Sequence, residues 1–386
     1  MMYKKALELL ILSVLLVSPL IHISIEDSFQ TRRMWSWLIL ISLIVIAFFI
    51  RYPFRVQEKF LELYTYGSIA IFYSICISMY PVHAFTLYIG FLILLLFFAW
   101  DHIQKICPKD IALLMALVIG ILTIYAQWGI VQFIVQEDLG MYRIGESVLS
   151  STIPGIASFY IGSEKFIRAY GPFGHSNSLG GVLLLGILLL YKYRKVCTDS
   201  LFFLGTFLVI TLGILSSFSR NALLGFLGIV TLFLWKKHFM FVIPVILSGL
   251  LFTPLLVHRS LDVHDVAVHD RFVGLTWFQN LMSAQALTVG IGVGNYTTAL
   301  KEYLESHAIS YNPWDIAPIH SVPLLIIAEL GIFLSIPLFF FILTFLIHHK
   351  LWEFFVLLPV LAFDHYFATQ FSPLLFLIIS TSLVVQ

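Results

Sequence analysis

Three arginines stand in short polar stretches of an otherwise apolar chain: Arg168 in RAYGPFGHSNSLGG, Arg220 in SSFSRNALLG and Arg271 in HDRFVGLTW. A guanidinium is always charged and forks onto two oxygens at once, so converging arginines suit a phosphate or pyrophosphate. The plainer alternative for a lone arginine is an anchor whose head snorkels to lipid headgroups. Arg220 argues against it: the apolar runs on either side leave almost no loop to snorkel from, and Ser216, Ser217, Ser219 and Asn221 surround it. His320, in APIHSVPLLIIAELGIF, is the second element. Imidazole titrates near neutrality and can take a proton from a hydroxyl. Taken alone, it also fits a helix-end histidine meeting headgroups. Glu329 follows inside the same apolar run. An acid at that depth is costly and is paired or functional, and the preferred reading is a structural partner for another helix.

Other polar groupings carry less. GIGVGNY, with Gly290, Gly292 and Gly294, mimics part of a dinucleotide fingerprint. No strand precedes it and no βαβ unit fits, so it reads as a flexible turn whose backbone approaches a ligand. The run HRSLDVHDVAVHD holds His258, His264 and His269 with Asp262, Asp265 and Asp270. Its spacing fits no established metal site, and a solvated loop is the better reading. There is no DxD pair to hold a metal-bound sugar nucleotide. Cys76, Cys107 and Cys197 show no paired spacing, which leaves no disulfide framework and no thiolate metal site. Trp277, Tyr296, Tyr303, Tyr311 and Trp314 suit stacking on sugars, although interfacial belts are rich in such residues anyway.

The elements that must position these groups are membrane helices. Of the 386 residues, 60% are hydrophobic and 11% charged, with a mean hydropathy of +0.97. A soluble domain carries roughly 25% charged residues. The net charge of +1 argues against nucleic acid as a partner. Apolar runs of spanning length predict an all-α polytopic membrane protein, one integral membrane domain over 1–386 with about twelve helices. They fall near 6–25, 34–50, 60–80, 82–100, 111–135, 178–192, 201–217, 220–235, 239–257, 321–346, 351–366 and 371–385. The first run has no small-residue cleavage site and reads as a helix, not a signal peptide.

Lysine and arginine gather on alternate connections: Lys4, Lys5, Arg51, Arg55, Lys59, Lys105, Lys109, Lys192, Arg194, Lys195, Lys236, Lys237 and Lys350. By the positive-inside rule those connections and both termini are cytoplasmic. Two long segments, 136–177 and 258–319, then lie outside, and all three arginines and His320 fall at external boundaries. Loops this long carry function or short structure of their own. Amphipathic surface helices are expected near 271–288 and 297–308.

With order and sidedness in place, a resemblance emerges. Arg220 begins RNALL and Arg271 begins RFVGL, both similar to the R-x-x-x-L motif of the bacterial O-antigen ligase and polymerase superfamily. His320-Ser321 with Gly331 resembles its H-[NSQ]-x9-G motif. RAYGPFGHSNSLGG resembles its R-x-x-G-x-F-x-x-P-N-x-x-G region, with His175-Ser176-Asn177 here, and GIGVGNY resembles its Gly-rich turn. The likeness covers roughly 168–335, in order. Leu334 stands where the family's second glycine falls, and Ser321 where Asn is commonest, which bears on subtype.

The resemblance implies a metal-independent, inverting glycosyltransferase with no cofactor, in the bacterial plasma (inner) membrane, its active site on the external or periplasmic face. The donor would be a polyprenyl-pyrophosphate-linked oligosaccharide and the acceptor a glycan hydroxyl. Arg220 and Arg271 would hold the pyrophosphate and stabilise its departing charge. His320 would deprotonate or orient the acceptor. Arg168, His175, Asn177, Ser219, Asn221, Gly292, Asn295 and Tyr296 are the expected substrate contacts. Polymerising surface-polysaccharide repeat units is favoured over ligation to a lipid A core, because the external loop is long and no ligase-specific feature is present. A flippase and a chain-length regulator are the expected protein partners. The rival class, a transporter or flippase for a lipid-linked sugar, predicts polar residues along a path through the bilayer. Here the ionisable groups cluster at one face and most span centres are clean. A scaffold leaves the external arginines without a reason.

Overall fold

Helix α1 (Pro108–Val135) is apolar on every side, and Pro108 opens it where the missing N–H costs nothing. At ~1.5 Å per residue its length, roughly 42 Å, exceeds the ~30 Å hydrocarbon thickness of a bilayer. It ends at Gln136, which adopts a left-handed backbone (φ 60°). The computed structural model describes residues 108–142, 146–194, 200–235, 245–246, 248–250, 252–255, 266–311, 316–348 and 352–366. The spans expected before 108 and over 371–385, much of 239–257, the loop 256–265 and all three cysteines lie outside them.

The described chain falls into two compact units, one drawn from 107–265 and 351–386, the other from 266–350. In the first, α2 (Ser176–Tyr193) is the central helix, buried from Ser176 to Tyr191. It packs against α1, α3 (Ser200–Ser216) and α4 (Arg220–Trp235). Lipid tails are as apolar as leucine, so close backbone approach must hold such helices together. Gly180 shows the fit: a Cβ there would lie 2.7 Å from Ser217 Oγ and 2.8 Å from the Ala222 Cβ. Among the described residues, Met115–Val135, Ser176–Tyr193 and Val322–Thr344 are long and apolar enough to cross a membrane. The described residues are thus helix-rich, with three candidate membrane-spanning helices by length and composition.

In the first unit, two features depart from the sequence reading. The segment 136–177 holds an antiparallel hairpin, β1 (Ser158–Ile161) and β2 (Glu164–Ile167), so the described residues are not wholly α. Gly162 (φ 62°) makes its two-residue turn. Phe159 of β1 is buried against Phe218, with ring centroids 4.5 Å apart, which ties the hairpin to the α3–α4 turn. The run 351–366 is not one helix but a 3-10 turn (Trp352–Leu357), then α9 (Leu358–Phe363), then extended backbone at Asp364 (φ −152°, ψ 159°). Pro359 accounts for the break, since its ring disfavours a continuous helix through the preceding turn.

The second unit carries α5 (Val266–Leu281), α6 (Ala284–Val289), α7 (Tyr296–Ser306) and α8 (Val322–His348). The helix expected over 271–288 divides at Ser283, whose hydroxyl caps α6 by accepting from Ala286 N at 3.2 Å. In α7 the buried Tyr296, Leu300 and Leu304 join the core that Phe278, Met282, Ile319, Leu325 and Ala328 complete. Helix α8 is broken at Gly331 (φ 73°, ψ 166°).

Candidate functional site

In the first unit, the polar residues of three distant segments meet at one end of the helix bundle. Arg168 Nε donates to Ser217 O at 2.7 Å and its Nη2 donates to Asn177 Oδ1 at 2.5 Å. Asn177 Nδ2 donates to Asp364 Oδ2 at 2.7 Å. From α4, Asn221 Nδ2 donates to Phe363 O at 3.0 Å and to Asp364 Oδ2 at 3.3 Å. Asn177 thus bridges a buried cation and a buried carboxylate, the arrangement that lets such charges persist out of water. Arg168 is 5% exposed and Asp364 4%. Burial this deep removes the snorkelling reading of Arg168.

The layer lies at helix ends because of capping chemistry. His175 Nδ1 accepts from Asn177 N at 3.1 Å and caps α2. Ser219 caps α4, its Oγ accepting from Ala222 N at 3.4 Å. Arg220, half-buried, is the first residue of α4. A cation there opposes the helix dipole by about 0.3–1 kcal/mol, so its position needs a reason other than helix stability. The reversal between α3 and α4 is made by Phe218 in a left-handed conformation (φ 47°), a strain of order 1 kcal/mol or more for a bulky residue. The contacts with Phe159, Phe133 and Phe252 hold it there. At the other end of α2 stand Lys192, paired with Glu353 at 3.5 Å, and Arg194 over the Tyr191 ring.

The segment carrying Arg168 is fastened by groups that the sequence reading missed. Gln136 accepts from Ile167 N at 2.7 Å and donates to Ile167 O at 3.2 Å. One turn back, Gln132 accepts from Tyr170 N at 3.1 Å and Gly171 N at 2.7 Å, and donates to Gly171 O at 3.2 Å. Two glutamine amides therefore pair with the main chain as a neighbouring strand would. Glu146 holds Gln132 in turn, accepting from its Nε2 at 2.7 Å, from Trp128 Nε1 at 3.0 Å and from Leu139 N at 2.9 Å. Burial pushes the phenol of Tyr170 up, and its hydroxyl accepts from Ala157 N at 2.6 Å. On the exposed loop, the Tyr142 hydroxyl holds the Asp138 carboxyl below its ordinary value. Gln132 and Gln136, four apart at the end of an apolar run, and Asp364 in another were the available signals.

In the second unit, the Gly-rich turn is fastened to α8. The break at Gly331 deprives preceding carbonyls of helical partners. Ile291 N fills Ala328 O at 2.9 Å and Gly292 N fills Glu329 O at 3.0 Å. The Glu329 carboxylate accepts from the N–H groups of Gly294 and Tyr296 and so caps the start of α7, where Asn295 makes no side-chain cap. That is the structural partnership expected of it. Asn295 Nδ2 donates to Ile291 O at 3.0 Å. The Tyr296 ring, expected among substrate contacts, is 2% exposed in the core beside Phe278, and burial pushes its phenol up. His320 directly precedes Ser321, whose carbonyl accepts from Leu325 N at 2.9 Å as α8 begins. Arg271 is half-buried on the second turn of α5.

The structure thus gathers Arg168, His175, Asn177, Ser219, Arg220 and Asn221 in one unit, and joins Gly292, Asn295 and Tyr296 to α8 in the other. Compared with protein-family models, curated proteins and solved structures, the chain matches none.

Proposed function

We propose that this chain is a membrane glycosyltransferase that passes a polyprenyl-pyrophosphate-linked glycan to an acceptor sugar hydroxyl, polymerising surface-polysaccharide repeat units. The observation that carries the reading is the buried layer of Arg168, Asn177, Asn221 and Asp364 beneath the α4 start that presents Arg220. Ionisable groups inside a membrane bundle are expensive, and function is their default explanation. Arg220 and Arg271 act on the pyrophosphate as bidentate donors and stabilise the charge that develops on it. His320 acts on the acceptor as general base. Lys192 and Arg194 at the opposite end of α2 read as cytoplasmic by the positive-inside rule, which supports an external position for the polar layer in the proposed bacterial plasma membrane. The buried charged and amide groups of this layer gather at one end of the bundle, while Thr206 and Thr211 are buried hydroxyls farther along α3, a grouping that favours transfer over transport. The same motifs serve ligation to a lipid A core, the alternative within this chemistry.

The test is complementation. Deleting the gene in its host should abolish a surface polysaccharide, and the wild-type chain should restore it. Arg220→Lys and Arg271→Lys keep the charge but lose the fork, so each should insert normally and restore little polymer. Full polymer from the deletion strain would sink the reading.

A further inference from the structure

Arg168 is the most buried of the arginines singled out by the sequence, and its guanidinium is committed inward. One donor goes to the Ser217 carbonyl and another to Asn177 Oδ1, both neutral acceptors within the protein. Ser217 O is among the carbonyls that the end of α3 leaves without a helical partner, and a cation there also favours the helix C-terminus. The next residue is Phe218, in its left-handed conformation, and Arg220 follows at the first position of α4. Arg168 therefore grips the turn on the carbonyl just before its strained residue.

The gripping group is itself immobile. Arg168 N donates to Ala157 O at 3.1 Å and Ala169 N donates to Ser216 O at 3.0 Å. On either side, Gln136 pairs with Ile167, and Gln132 with Tyr170 and Gly171. The charge is balanced within the same layer, since Asn177 passes a second hydrogen bond on to Asp364, which also receives Asn221 from the far side of the turn. The turn is held from both sides, by Arg168 on Ser217 and by Asp364 on Asn221.

We propose that Arg168 is a positioning residue: it braces the Ser217–Asn221 turn so that Arg220 is presented in one fixed direction, and it does not itself grip the phosphate. The ligand arm of this inference rests on the proposed function, in which Arg220 contacts pyrophosphate; the bracing arm does not.

The experiment uses the full-length protein in lipid nanodiscs, with undecaprenyl pyrophosphate as the binding probe and amide hydrogen exchange as a second readout. Arg168→Gln should speed exchange over residues 218–223, and Arg220→Gln should leave it unchanged. Losing charge-assisted bonds that order the turn should weaken probe binding roughly tenfold or more. In an Arg220→Gln background, Arg168→Gln should weaken it no further, because the two act through one contact. Arg168→Lys, which keeps a buried cation but loses the fork, should show the same pattern and serves where the glutamine variant does not fold. Multiplying losses in the double variant would make Arg168 a direct phosphate contact and overturn the proposal. Unchanged exchange at 218–223 in both Arg168 variants would overturn it as well. A wild-type protein without affinity for the probe, but with the exchange response intact, removes the functional reading and leaves the brace standing.

Discussion

Gly290 and Gly331 cross backbone to backbone, each at positive φ (92° and 73°), and neither has room for a side chain. A Cβ on Gly331 would overlap Thr288 O and the Val289 carbonyl carbon. One on Gly290 would overlap Glu329 O and Gly331 N. The crossing brings the Gly-rich turn close enough for Ile291 N and Gly292 N to fill the carbonyls left open in α8.

Gly331→Ala should therefore cost more than backbone strain alone. Strain at positive φ is about 1–3 kcal/mol, and the overlap adds to it. Gly140→Ala is the control, since Gly140 has φ 72° but nothing within 4 Å of a Cβ. Melting in detergent should show Gly331→Ala as clearly the worse of the two. Equal losses would mean that the crossing contributes nothing.

Glu329 gives a second test of the same joint. Its carboxylate accepts from Gly294 N and Tyr296 N at the start of α7. Glu329→Ala removes both acceptors, a loss of about 1–2 kcal/mol by analogy with helix caps, and hydrogen exchange over 294–299 should quicken. Glu329→Gln keeps one acceptor oxygen and should fall between alanine and wild type. A glutamine variant that exchanges as fast as alanine would show that the carboxylate acts through its charge and not as a cap.

How much of this was legible follows from the range of each interaction. The runs 111–135, 178–192, 201–217 and 220–235 announce helices because uniform hydropathy is a local property, and helices stand at all four. The broken α8 was hidden by the same uniformity: VPLLIIAELGIFLSIPL is apolar on both sides of Gly331, and the break is imposed by the turn that crosses it. The hairpin's signal, SFYIGSEKFI, is two four-residue strands around a glycine, short enough to pass as loop. Arg168, Asn177 and Asn221 stood out by type. Asp364, which joins Asn177 to Asn221, lies 187 residues from the first in sequence, and no local pattern reports a partner so distant. Ser219 was legible as a polar residue beside Arg220, and His175 through the resemblance, but their capping roles depend on where α2 and α4 begin.

Sidedness can be tested directly. In a cysteine-free background, single cysteines at Ser151 or at Glu305 should react with an impermeant maleimide applied to intact cells. One at Lys236 should react only after permeabilisation. The charge bias across the connections motivates this. Labelling at Lys236 from outside, with Ser151 protected, would invert the topology and place the polar layer on the cytoplasmic face.

The division of labour between His320 and the arginines makes the last prediction. A general base contributes typically about 10²–10⁴-fold in rate, so His320→Ala should nearly abolish transfer. Binding of undecaprenyl pyrophosphate should survive in that variant, because the phosphate donors proposed are Arg220 and Arg271. Arg271→Ala should show the opposite pattern, with probe binding itself weakened. A histidine that only meets headgroups predicts something else: alanine would then cost little activity and leave binding untouched. The proposed chemistry uses no metal, so a chelator added to the same assay should not inhibit. Transfer by His320→Ala at the wild-type rate would remove the general base from the mechanism. Reversible loss of activity with EDTA would replace the arginine-based account of charge stabilisation with one that needs a cation.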